Sequence, residues 1–270
     1  MKKLSKISLL HYVKLVMRSL VLLCMTAYYI YQRVIGNTDP FGFLREATVI
    51  HFVIFGVFAV EVMLRFFPSR FESMGCQKQF RRNYIPTVES ENGRHRLGTW
   101  RSTLAVLLAW LGLNGAIAAL YYTDIIDAGI LVLVSLFYAV SDMICILFFC
   151  PFQTWFMKNK CCGSCRIYNW DYAMMFTPLI FIPHPLAHAL FTMGALLLIV
   201  WELAVMIHPE RFDVETNAAL RCANCPEKLC HHKKQLQGFL RRNFDRYRVK
   251  ENIALLADRI QKKLPKRKGK

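Results

Sequence analysis

Residues 172–207 read YAMMFTPLIFIPHPLAHALFTMGALLLIVWELAVMI, and the number of times this block crosses a bilayer decides the fold. Its 36 residues carry a single formal charge, Glu202. One straight helix of that length would extend about 54 Å, against a hydrocarbon core of about 30 Å. Pro178, Pro183 and Pro185 interrupt it, and proline removes a backbone donor and crowds the preceding turn. The block is therefore expected to break near Ile182-Pro183-His184-Pro185. Residues 172–183 then form a half or short membrane element, and 186–207 a full span.

Upstream lie four more apolar blocks of spanning length, at about 15–35, 48–67, 102–122 and 128–149. The expected fold is all-α, a polytopic helical membrane protein with five or six membrane elements, the fifth short or re-entrant. Residues 1–207 form the transmembrane domain, and 208–270 a basic tail. Met1-Lys2-Lys3-Leu4-Ser5-Lys6 superficially resembles a signal-peptide start. Lys14 and Arg18 interrupt the apolar run behind it, however, and no small-x-small cleavage site follows, so the first segment reads as a retained helix. Composition agrees: 55% hydrophobic residues and a mean hydropathy of +0.28 coexist with a net charge of +17. A membrane protein reconciles these values by keeping the charges between the apolar blocks.

Basic residues accumulate on the cytoplasmic side of a membrane. The 68–101 connector has seven basic and three acidic residues, a net +4, whereas the loop at 123–127 has only Asp124 and Asp127. The loop at 150–171 carries Lys158, Lys160 and Arg166, and residues 211–270 hold 17 basic and 6 acidic residues, a net +11. This alternation predicts that both termini are cytoplasmic in a plasma or bacterial inner membrane. It also requires the 172–207 block to enter and leave on one side, which favours two elements there.

That topology puts two cysteine clusters in one compartment. Cys161, Cys162 and Cys165 precede the block, and Cys222, Cys225 and Cys230 follow it, the last next to His231 and His232. Cys162-Gly163-Ser164-Cys165 and Cys222-Ala223-Asn224-Cys225 have the Cys-x-x-Cys spacing that lets two thiolates converge on one ion. Lys160, Arg166 and Arg221 would favour thiolate. The expected metal ligands are Cys162, Cys165, Cys222 and Cys225, with Cys161 and Cys230 as further candidates and His231 or His232 as substitutes for a sulfur. Six sulfurs exceed the need of Zn2+, yet no ferredoxin-like spacing is present, so zinc and an iron–sulfur cluster both stay open. The plain alternative is a set of reduced juxtamembrane thiols, some of them palmitoylated.

Ionisable side chains within spans carry a functional hypothesis by default. Asp142 lies inside the fourth block, and His184 and His188, four apart, flank the proline break. Glu61 and Glu202 are expected to pair with Arg65 or another basic side chain. His51 with His188 forms a weak haem candidate. The 233–264 segment has amphipathic helical spacing, and the basic tail is expected on anionic lipid headgroups rather than on nucleic acid. No Walker, dinucleotide-fingerprint, Gly-x-Ser-x-Gly or HExxH signature occurs. The sequence thus supports an integral membrane protein with a cytoplasmic cysteine-ligated metal centre, serving either electron relay to a membrane redox partner or structural clipping. The alternative is a small-solute transporter using the break at Pro183–Pro185 and Asp142.

Overall fold

Every described residue outside turns and irregular links is helical, apart from one isolated β-bridge, in a computed structural model describing residues 6–36, 49–68, 74–88, 100–158 and 165–224. The elements are α1 (Lys6–Val34), α2 (Val49–Phe66), α3 (Met74–Gln79), α4 (Trp100–Tyr122), α5 (Ala128–Leu147), α6 (Asp171–Phe176) and α7 (Pro185–Ile207). Among the described residues, short 3-10 turns and one π-helical turn at Phe152–Phe156 lie between them. The chain divides into two units, Met1–Lys228 and Leu229–Lys270, and all described residues belong to the first.

Four helices are long and apolar enough to cross a membrane: Ser8–Val34 of α1, α4, α5 and α7. The first expected span is corrected at its start, because the helix runs through Lys14 and Arg18 instead of beginning at Leu15. The expected 48–67 span is an 18-residue helix, about 27 Å long and shorter than the other four.

Helices start and stop where local chemistry dictates. Gly36, at φ +81°, follows the end of α1 in the left-handed conformation that glycine adopts freely. Asp127 caps α5 by accepting a hydrogen bond from the Ile130 amide at 2.9 Å. Pro185 occupies the first turn of α7, where a missing N–H costs nothing.

The 172–207 block breaks as its prolines require. α6 gives way to a 3-10 turn over Thr177–Phe181, then Ile182 and His184 are extended. Together α6 and this turn rise only about 19 Å, too little to cross a bilayer unaided. They fold back along α7, where a Cβ on Gly194 would lie 3.1 Å from the Tyr172 carbonyl carbon and oxygen. Only a residue without a side chain lets the two backbones approach so closely.

α1 and α5 are antiparallel and in register. The Tyr12 and Phe148 rings lie 6.2 Å apart, Arg18 reaches Asp142 at 3.3 Å, and Arg33 pairs with Asp127. Each step along α1 is matched by an equal step backwards along α5. The main core is formed by Val62, Leu131, Met175, Phe176 and Leu197 from α2, α5, α6 and α7. These contacts define two ends of the bundle. Tyr12, Arg65, Phe148, Trp170 and Trp201 mark the near end, and Arg33, Tyr122, Asp127 and Phe181 the far end.

A cap closes the near end beneath α7. Phe80 and Phe212 flank Trp201 with ring centroids 5.1 and 6.0 Å away. Asn217, fully buried, donates to the Lys78 and Arg211 carbonyls at 3.2 and 2.8 Å and accepts from the Ile85 and Ala219 amides. Arg211 donates twice to the Gln79 carbonyl, and Ala218 N–H bonds the Ile85 carbonyl at 2.8 Å. The first residues of the tail are thus fastened to α3 and the segment after it.

Candidate metal centre and intramembrane charges

Two of the expected thiol ligands fall on described residues. Cys165 is buried beside Val106, Ile167 and Trp170, with Phe152, Phe156, Met157 and Leu198 packed around that group. Cys222 opens the 3-10 turn Cys222–Asn224, although its side chain is not among those described. Cys161, Cys162, Cys225, Cys230, His231 and His232 lie outside the described residues, as does the expected helix at 233–264. Among the described residues no three His, Cys, Asp or Glu side chains form a group able to hold a metal.

The approaches to both clusters meet on one short helix. Asn169, four residues after Cys165, donates to Gln79 Oε1 at 2.8 Å. Asn217, five residues before Cys222, donates to the Lys78 carbonyl at 3.2 Å. Residues 78 and 79 are neighbours at the end of α3, so the two segments are pinned side by side. The loop after Cys165 is held a second time from α7, where Trp170 Nε1 donates to Glu202 Oε1 at 2.7 Å and Arg166 pairs with Glu202 Oε2. One guanidinium nitrogen of Arg166, Nη1, is buried without a hydrogen-bond partner among the described residues.

A second cluster lies within the helices. Arg18 of α1 sits between Glu61 of α2 at 2.6 Å and Asp142 of α5 at 3.3 Å, and also donates to the Ala139 carbonyl at 2.9 Å. Lys14 reaches the other oxygen of Glu61 at 3.1 Å. Two cations and two carboxylates therefore neutralise each other, which is how charge is tolerated at membrane depth. Toward the near end, Arg65 pairs with Asp171 at 2.5 Å and lies over the Tyr168 and Tyr172 rings.

These contacts revise the sequence expectations. Glu61 and Glu202 each pair with basic side chains, Glu61 with Lys14 and Arg18 and Glu202 with Arg166, while Arg65 is engaged by Asp171. Asp142 is one member of an ion-paired network, not an isolated carboxylate. His188 Nε2 meets the Ile180 carbonyl at 3.2 Å, so it satisfies backbone exposed by the break. His184 is the N-cap residue of α7. No protein-family model, curated protein or solved structure matches the chain. Its chemistry is therefore argued from the site alone.

Lys14 and Arg18 are visible in the sequence only as interruptions of an apolar run, and Asp171 and Asn169 only as polar residues beside a cysteine loop. The available signal was the surplus of unpaired charge: a cation retained inside an apolar helix requires a carboxylate elsewhere in the bundle.

Proposed function

We propose that this chain is an integral membrane protein whose cytoplasmic face carries a cysteine-ligated metal centre. Its ligands come from Cys162 and Cys165 before α6 and from Cys222 and Cys225 after α7, with Cys161 and Cys230 in reserve. The carrying observation is the juxtaposition of Asn169 and Asn217 on residues 79 and 78 of α3. Four residues separate Asn169 from Cys165 and five separate Asn217 from Cys222. At a maximum of about 3.5 Å per residue, both segments can bring sulfur to one ion with Zn–S distances near 2.3 Å. Cys165 packs among apolar and aromatic side chains, a setting that shields a metal–thiolate bond from water.

The role that suits this setting best is a structural clip. The start of the tail is already fastened to α3 by Asn217 and Arg211, and a shared metal would extend the fastening to the 158–166 loop. An iron–sulfur cluster in the same ligands would instead relay electrons to a redox partner in the membrane. Orientation follows from charge. The near end holds Arg81, Arg82, Lys158, Arg211 and Arg221, while the described loop residues of the far end include Asp124 and Asp127, so the near end faces the cytoplasm.

Elemental analysis of anaerobically purified protein tests the reading. Wild-type protein should carry a stoichiometric metal, and Cys222→Ser should lose most of it; full metal content in that variant removes Cys222 from the ligand set. A brown protein with sulfur-to-iron absorption assigns a cluster, and a colourless zinc protein assigns the clip. The transporter reading draws on a lateral crevice between α1 and α2, lined by Leu10, Gly56, Val57 and Leu64 beside Lys14 and Glu61. Asp142-dependent solute uptake into liposomes by metal-free protein would favour it.

A further inference from the structure

Leu10 and Lys14 lie one helical turn apart on α1, and Gly56, Val60, Glu61 and Leu64 follow one stripe of α2. They line a lateral crevice of about 460 Å³, within the range of small-ligand sites, about 300–1,000 Å³. From Leu64 to Gly56 the stripe is about 12 Å long. Gly56 keeps the deep end open, since a Cβ there would meet nothing within 4 Å. Val60, on the rim, is 59% exposed. A crevice that opens sideways between membrane helices meets hydrocarbon rather than water, so what fills it carries an acyl chain.

Lys14 says what the chain is attached to. Its ammonium has three N–H donors, and among the described residues only Glu61 accepts from it, at 3.1 Å. The side chain is 21% exposed and lines the crevice, so the remaining donors call for an acceptor brought by the occupant. Charge decides which acceptor. Lys14 and Arg18 already balance Glu61 and Asp142. A carboxylate or other anion would leave surplus negative charge at membrane depth, whereas an ester carbonyl accepts the bond and changes no balance. Lys14 lies only about 3 Å further along α1 than Tyr12, which marks the near end, a depth that suits an ester just beneath the headgroups.

We infer that the crevice between α1 and α2 seats one acyl chain of a membrane phospholipid, whose ester carbonyl accepts a hydrogen bond from Lys14. Gly56 sets how deep the chain reaches, and Glu61 positions the ammonium.

The test is photolabelling. Full-length protein is reconstituted in phosphatidylcholine vesicles containing a trace of phosphatidylcholine with a diazirine along one acyl chain, illuminated, and mapped by peptide mass spectrometry. Label should concentrate on residues 10–14 and 56–64 relative to the lipid-facing residues of α4. Gly56→Leu fills the crevice without a backbone clash and should lower that label several-fold while label on α4 stays unchanged. Lys14→Met removes the anchoring donor and should lower it several-fold as well. Equal labelling of all exposed helix faces in the wild type overturns the inference, as does undiminished label in Gly56→Leu. Should that variant fail to accumulate, undiminished label in Lys14→Met overturns it. A diazirine fatty acid that labels these residues more strongly than the phospholipid assigns the seat to a carboxylate and overturns it too.

Discussion

Arg18 is the residue on which the interior turns. It bridges carboxylates from two other helices, and each of the four charged side chains in its network is at most 21% exposed. Pairs of this kind contribute modestly compared with apolar packing, but breaking one strands a charge. Asp142→Leu should therefore destabilise the protein by about 3–5 kcal/mol, read as a lowered unfolding temperature in detergent. Adding Arg18→Leu should recover part of the loss, so the double-mutant cycle shows coupling between positions 18 and 142. Additive losses would mean that the 3.3 Å contact carries no energy. Asp142 was recognisable from sequence as a carboxylate within a span, but its partner was not. The two residues lie 124 positions apart, and helix order rather than spacing brings them together.

Helix discontinuity was readable because proline chemistry is local: Pro183 and Pro185 place the break correctly, and the structure adds the 3-10 turn before it. The start of α1 was not readable, because Lys14 and Arg18 resemble a boundary until the acids that neutralise them are known. Nor was the cap beneath α7, whose bonds join residues 78–87 to 211–218 across the sequence of α4 to α7. Two substitutions test these elements. Gly194→Leu drives a side chain into the Tyr172 backbone and should cost about 1–3 kcal/mol through overpacking, measured by the same thermal assay. Asn217→Ala leaves four buried or half-buried backbone partners short of a bond and should release the start of the tail. Limited proteolysis after Arg221 should then proceed several-fold faster than in wild type, and unchanged cleavage would show that the cap holds without this residue.

The described unit is polarised. The described connectors rich in Lys and Arg gather at one end, and the opposite loop at 123–127 carries two aspartates. Alkaline phosphatase fused after Ile125 should be active, and fused after Asn224 inactive; the reverse pattern would invert the orientation. The cysteine clusters were legible as motifs, whereas the docking of Asn169 and Asn217 on α3 was not, since nothing in Met74–Gln79 announces a scaffold. The Arg18 network also bears on biogenesis. Neither α1, with two cations, nor α2 and α5, with one acid each along the same network, presents lipid with a neutral surface alone. α1 can therefore shield its two cations only once α2 and α5 pack against it, which ties its settling in a bilayer to the assembly of the bundle.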